Sequence, residues 1–107
     1  MQLIKENLIF LKALAQLSKK QSQQVLKHCT REQANSIAEI AHNMMAKVLR
    51  VSEKDLLLLK KYEVLIRKLA EQRRTQSHKH LQKYLANKVQ GIALMLRIVL
   101  PKLEKAL

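Results

Sequence analysis

The sequence has 107 residues, 48% of them apolar, and its 21 Lys and Arg against 8 Asp and Glu give a net charge of +13. A chain of this length and apolar content can bury a core of its own, which excludes a disordered basic tail. One Gly and one Pro leave little material for the tight turns of a β-sandwich or barrel, and one Cys excludes an internal disulfide. The composition therefore predicts an all-α protein in a reducing compartment.

The N-terminal half predicts three helices. Apolar residues at helical spacing indicate an amphipathic helix over about 3–17, and Ser18 with Gln21 favours a short second helix over about 20–28. Thr30 and Gln33 have the spacing of a capping box and predict the start of a third helix. Residues 45–51 contain no Gly or Pro, which leaves open a continuation of this third helix.

The C-terminal half predicts further helices. Ser52 is a helix N-cap, and the apolar arc behind it consists of Leu58, Leu59, Tyr62, Leu65, Ile66 and Leu69. A polar stretch over 72–77 interrupts the pattern, and Thr75 or Ser77 can cap the next helix. Gly91 is expected to mark the junction to an apolar C-terminal helix over 92–107, in which Pro101 either kinks the helix or begins a final short turn. We expect one domain over 1–107, a compact bundle of five or six short helices.

Basic residues are concentrated between positions 60 and 88, where two acidic residues oppose them. Such a face is suited to polyanions, because each neutralised phosphate releases condensed counterions. The alternative is a solvated face that keeps the protein soluble. The candidate nucleic-acid-binding residues are Lys60, Lys61, Arg67, Lys68, Arg73, Arg74, Lys79, Lys83 and Lys88.

Sequence-specific reading of bases is not favoured by this pattern. No segment has the short turn and polar recognition helix of a helix-turn-helix. Phe10 and Tyr62 lie on the apolar arcs of their helices and are expected in the core, whereas Tyr84 can belong to the core or to the surface. Without an aromatic platform for single-stranded bases, double-stranded DNA bound without sequence preference is the expected ligand.

Catalytic and metal sites are not predicted. His28 and Cys29 are neighbours with no carboxylate nearby to orient the imidazole, and His78 and His80 lack the ligand spacing of a zinc site. A single Gly rules out a phosphate-cradling loop of the Walker or dinucleotide type. We therefore expect no enzyme activity, no cofactor and no metal.

The C-terminal helix is apolar over most of its circumference. Leu94 and Ile98 lie away from its main apolar arc and are the candidate partner-binding residues. Three explanations stay open: the helix is central to the bundle, it makes a homomeric or partner contact, or it meets a membrane surface. No segment reaches the length of uninterrupted apolar sequence that a membrane span needs.

Three strings resemble a known family. Residues 26–33 (LKHCTREQ), 37–45 (IAEIAHNMM) and 59–70 (LKKYEVLIRKLA), followed by a basic stretch, a Gly and an apolar C-terminus, resemble a small basic protein of polinton-like (Maverick) elements and adintovirus-like genomes. Such elements encode adenovirus-type capsid proteins, so the resemblance implies a nucleoprotein or virion-associated role. It assigns no site residues.

The expected function is therefore non-sequence-specific binding and condensation of nucleic acid, in the nucleus or the virion interior and otherwise in the cytoplasm. Secretion is not expected, because the N-terminal stretch carries charges within its apolar run and has no small-residue cleavage site. One alternative is a helical interaction or assembly module, such as a homo-oligomer, that uses the C-terminal helix. The other is a membrane-active, capsid-associated protein.

Overall fold

Helices account for most of residues 2–47, 49–71 and 77–106, the ranges that a computed structural model of the chain describes. The helices are α1 (Gln2–Glu6), α2 (Leu8–Gln16), α3 (Lys19–Lys27), α4 (Arg31–Met45), α5 (Glu53–Leu59), α6 (Glu63–Ala70), α7 (His78–Ala86) and α8 (Val89–Ala106), with a 3₁₀ turn (Lys60–Tyr62) between α5 and α6. These ranges contain no β-strand. The predicted all-α bundle is confirmed. Two predicted helices are interrupted: the first at Asn7, and the one that begins after Ser52 at the 3₁₀ turn.

Three helix starts follow the predicted caps. Ser77 precedes α7 but makes no side-chain capping hydrogen bond, and Thr75 lies outside the described residues. The hydroxyls of Ser18 and Thr30 accept from the backbone N–H groups of Gln21 and Gln33, whose side chains accept from the cap N–H groups in return. Ser52 accepts from the N–H of Asp55 at 3.2 Å. Each cap satisfies a backbone donor that a helix start otherwise leaves without a partner.

The first predicted helix breaks at Asn7, which separates α1 from α2. Its side-chain Nδ2 donates to the carbonyl of Leu3 at 2.8 Å, and its backbone N–H donates to Ile4 at 3.1 Å. The amide side chain thus competes with the main chain for a carbonyl that would otherwise accept from the regular helical ladder.

The segment after Met45 does not continue the third helix. α4 ends at Met45, and Lys47 adopts a left-handed backbone with φ of 58°. The N–H groups of Lys47 and Leu49 donate to the carbonyls of Met44 and Asn43, at 3.1 and 3.4 Å. The last turn of α4 is therefore closed by the loop and not by further helix.

The core forms around α8, which packs against α2 and also contacts α3, α5 and α7. Its fully buried side chains include Ile92, Met95, Leu96 and Leu103. The other principal contacts are α4 with α6, α3 with α7, and α1 with α4. The helix runs through Pro101, which does not begin a separate turn.

Gly91 does not mark the junction that the sequence predicts. It lies in the first turn of α8, and the connection from α7 is made at Asn87 and Lys88. A Cβ atom at position 91 would lie 2.7 Å from Cδ1 of Tyr62 and would also collide with a methyl group of Leu65. This glycine therefore allows α8 to approach the 3₁₀ turn and α6 closely.

Within the described ranges, no helix has the length and apolar character required to cross a membrane.

Candidate nucleic-acid interface

Two adjoining grooves lie on the face formed by α6, α7 and the start of α8. One has a volume of about 620 Å³, the other about 330 Å³, and both are lined by Lys68, Tyr84 and Asn87. Taken together we call them the basic groove. The lysines that line it are Lys19, Lys61, Lys68, Lys83 and Lys88.

The basic groove is strongly asymmetric in charge. Its five lysines are all exposed, and Glu71 is the one carboxylate among its lining residues in the described part of the chain. The lysines come from α3, the 3₁₀ turn, α6, α7 and the α7–α8 connection, so the fold gathers cations that are far apart in sequence. Lys61 in the 3₁₀ turn and Lys68 in α6 both line the smaller of the two grooves.

Tyr84 and Asn87 lie where the two grooves meet. Tyr84 is half-buried, and its burial raises the pKa of the phenol above its ordinary value of 10.0. The phenol therefore keeps its proton at neutral pH and remains a hydrogen-bond donor. Tyr84 packs against the hydrophobic core and lines the groove as well, so it belongs partly to both environments that the sequence left open.

The ring of Tyr62 also lines the groove. It is half-buried against the core, and the ammonium of Lys61 lies 5.8 Å from the ring centroid. That distance is within the range of a cation–π interaction. Neither tyrosine presents a fully exposed face on which a base could stack.

The fold brings four of the predicted binding residues together in the basic groove: Lys61, Lys68, Lys83 and Lys88. Lys60 lines a different groove, and Arg67 forms a salt bridge with Glu63 at 3.0 Å. Lys79 is exposed on α7 outside the groove lining. Arg73 and Arg74 lie outside the described residues.

Lys19 is the lining lysine that the sequence does not predict. It lies at the first position of α3 behind the Ser18 cap, far along the chain from the basic stretch. Its cap was predictable, but its neighbourhood is not, because the packing of α3 against α7 is a long-range contact.

The candidate partner-binding residues, Leu94 and Ile98, are half-buried and pack against the hydrophobic core. Between them, the Nε of Arg97 donates to the carbonyl of Ala15 at 2.9 Å and joins α8 to the end of α2. A partner contact through these two side chains stays a prediction.

The His and Cys residues do not form a reactive cluster. His28 is exposed, whereas Cys29 is buried, and burial raises the pKa of its thiol to about 11. His78 and Gln82 point to the carbonyl of Cys29 and bond to it at 3.0 and 2.7 Å. No three His, Cys, Asp or Glu side chains of the described ranges come together as a metal ion would require.

A third and larger groove, of about 1040 Å³, lies between the end of α4, the loop residues 46–47 and 49–52, and α5. We call it the apolar groove. Its apolar lining consists of Met44, Met45, Leu49, Val51, Leu56, Leu57, Leu59 and Ile66. Leu58, which the sequence places on the buried arc, is instead half exposed and does not line this groove, since Leu59 takes the inward position.

Comparisons of the chain with protein-family models, with curated proteins and with solved structures found no match.

Proposed function

We propose that this protein binds nucleic acid through the basic groove, without reading its sequence and with double-stranded DNA as the preferred form. The observation that supports the proposal is the convergence of five exposed lysines around a groove with a single lining carboxylate among the described residues. Lysine ammonium groups bind phosphates as point charges and release counterions from the duplex. Such contacts fix position but carry no base information.

The preference for a duplex rests on the two tyrosines. Binding of single strands commonly uses exposed aromatic faces on which successive bases stack. Tyr62 and Tyr84 are half-buried against the core, so their faces are only partly open to a ligand. A nuclear or virion setting rests on the family resemblance, which covers most of the chain from about Leu26 onward.

The test compares two triple variants of equal net charge. The variant K68E/K83E/K88E reverses lysines that line the basic groove, whereas K5E/K54E/K105E reverses exposed lysines outside it. We expect the groove variant to bind a short duplex at least about tenfold more weakly than the control variant, because three phosphate contacts are lost. Gel shifts with two unrelated duplexes and one single strand measure the affinity, and circular dichroism checks the fold.

Equal losses in the two variants would show that net charge alone drives binding and would refute the assignment to the groove. A clear preference for one duplex over the other would refute sequence-independent binding.

A further inference from the structure

We infer that the apolar groove is a docking site for an acidic amphipathic helix of a partner protein. This site is separate from the basic groove, and the inference does not depend on the proposed nucleic-acid binding. The argument starts from α5, where Leu56, Leu57, Leu58 and Leu59 follow one another. Successive helical residues point about 100° apart, so only part of such a run can face the core.

The fold uses one of these four leucines for its own core. Leu59 is 3% exposed, while Leu56 is 52% and Leu57 is 73% exposed along the groove. Met45 is also exposed on the opposite wall. Large apolar side chains gathered in one concave surface are typical of interaction sites, and unbranched methionines adapt to varied partners.

The shape of the groove favours a helix over a bilayer or a small molecule. Its volume of about 1040 Å³ is at the upper end of ligand pockets. A concave groove is filled by apolar side chains at i, i+3, i+4 and i+7 of a helix, whereas a bilayer surface leaves it empty. A protein helix is therefore the best match.

The charge at the groove rim selects an acidic helix. Lys47, Arg50 and Lys60 line the groove and are exposed, and none of them forms a salt bridge within the described ranges. Of the two lining glutamates, Glu63 is paired with Arg67 at 3.0 Å. The rim is therefore net positive, and carboxylates beside the apolar stripe of an incoming helix would complement it.

The same charge disfavours a second copy of this chain as the occupant. Each copy carries a net charge of +13, so two copies repel one another wherever they meet. The positive electrostatic potential that makes two copies repel one another attracts an acidic partner.

The test uses a fluorescent peptide of about 18 residues, long enough to form a helix, with leucines along one face and glutamates on the other. Leu57→Glu alters the groove, and Leu58→Glu introduces the same charge at the next residue of α5, outside the groove. Both side chains are more than half exposed, so either variant is expected to fold. Fluorescence anisotropy with the full chain measures binding.

We expect Leu57→Glu to weaken peptide binding at least about tenfold. The variant loses an apolar contact with the peptide and places a carboxylate near the peptide's own glutamates. Leu58→Glu should remain within about twofold of the parent. A peptide of the same composition in scrambled order should bind poorly, which excludes simple attraction to the basic groove. Reversing Arg50 and Lys60 to Glu should shift the preference to a peptide with lysines in place of the glutamates.

Equal binding of the scrambled peptide, or equal effects of Leu57→Glu and Leu58→Glu, would overturn the inference. So would a dimer of the parent chain that Leu57→Glu dissociates in sedimentation, since the groove would then hold a second copy. Binding to anionic phosphatidylserine vesicles that Leu57→Glu abolishes, without peptide binding, would assign the groove to a membrane. The two sites are distinguished by two charge-matched comparisons. K68E/K83E/K88E should weaken peptide binding no more than K5E/K54E/K105E does, and Leu57→Glu should weaken DNA binding no more than Leu58→Glu does.

Discussion

Cys29 connects the α3–α4 junction to α7 through its backbone, while its thiol is enclosed by the core. The Cys29 carbonyl oxygen accepts a hydrogen bond from Nε2 of Gln82 at 2.7 Å. Nε2 of His78 lies at hydrogen-bond distance from the same oxygen, at 3.0 Å. Because a carbonyl only accepts, Nε2 must carry the hydrogen in this contact. The side chain is 4% exposed, and this burial raises the pKa of the thiol from 9.0 to about 11.

Above pH 9 the buried thiol should make the protein's stability depend on pH. The unfolded thiol loses its proton near its ordinary pKa of 9.0, whereas the folded thiol keeps it until about 11, so rising pH favours the unfolded state. Compared with Cys29→Ala, the parent should lose about 2 to 3 kcal/mol of unfolding free energy across this interval, and no such difference should develop below it. Urea unfolding at a series of pH values measures this.

Parallel pH profiles for parent and Cys29→Ala would contradict the burial of the thiol. So would rapid alkylation of the folded parent at pH 8, about one unit below the ordinary thiol pKa.

At the scale of elements, α8 decides how the bundle is held together. Its inward face is buried along its length, and Leu94 and Ile98 extend the packing to the flank that the sequence placed away from the main apolar arc. The bond from Arg97 to Ala15 lies on that same flank. The contacts favour a central helix over a free interaction surface.

Changing Leu94 and Ile98 together to Ala should therefore destabilise the monomer. Both side chains are half-buried, so we expect a total loss of about 2 kcal/mol, below the range for fully buried sites. Chemical denaturation measures the loss. Sedimentation should give the same mass for parent and variant; unchanged stability with a reduced mass would instead assign these residues to an intermolecular contact.

The predictable elements are those whose signals are local. The helix starts at Ser18, Thr30 and Ser52 can be predicted because each cap and its hydrogen-bond partner are three residues apart in the sequence. The break at Asn7 arises because the Leu3 carbonyl accepts from the side-chain amide of Asn7 and not from its backbone N–H. The spacing of apolar residues carries no information on that competition. The reason for a glycine at position 91 is the close approach of Tyr62, which lies in the 3₁₀ turn and is far from Gly91 in the sequence.

At the scale of the whole molecule, charge is the dominant property. The chain folds to a radius of gyration of 12.5 Å while carrying +13. Salt bridges among the described residues include Lys12–Glu104 at 2.8 Å and Lys102–Asp55 at 3.4 Å, both at least partly exposed. Such pairs contribute little to stability. Because 21 basic residues are opposed by only 8 acidic ones, most of the positive charge remains available to a polyanion.

DNA affinity should accordingly fall steeply with salt. If all five groove lysines contact phosphates, the slope of log affinity against log salt concentration should be about −4.5. For K68E/K83E/K88E it should shrink to about −2, and for K5E/K54E/K105E it should stay close to the parent value. Titrations at several salt concentrations measure the slopes. A common slope for all three proteins would contradict binding in the groove.

The density of basic residues in the sequence predicts four of the five lysines that line the basic groove. It also includes basic residues that lie elsewhere, such as Lys60. Lys60 and Lys61 are adjacent, yet one lines the apolar groove and the other the basic groove, because the 3₁₀ turn directs them to different sides. The apolar groove itself has no signature in sequence, since runs of leucine commonly indicate a buried helix.

The chain's one glycine is inside a helix, whereas Lys47 holds the left-handed position that ends α4. A side chain in that conformation costs on the order of 1 kcal/mol relative to glycine. Lys47 also supplies one of the cations at the rim of the apolar groove. If the apolar groove binds an acidic helix, as we infer, stability and recognition are opposed at position 47. A glycine there would relax the backbone and would also remove a charge that such a helix would meet. The loop that closes α4 is a place where selection for a more stable fold and selection for a partner would favour different residues.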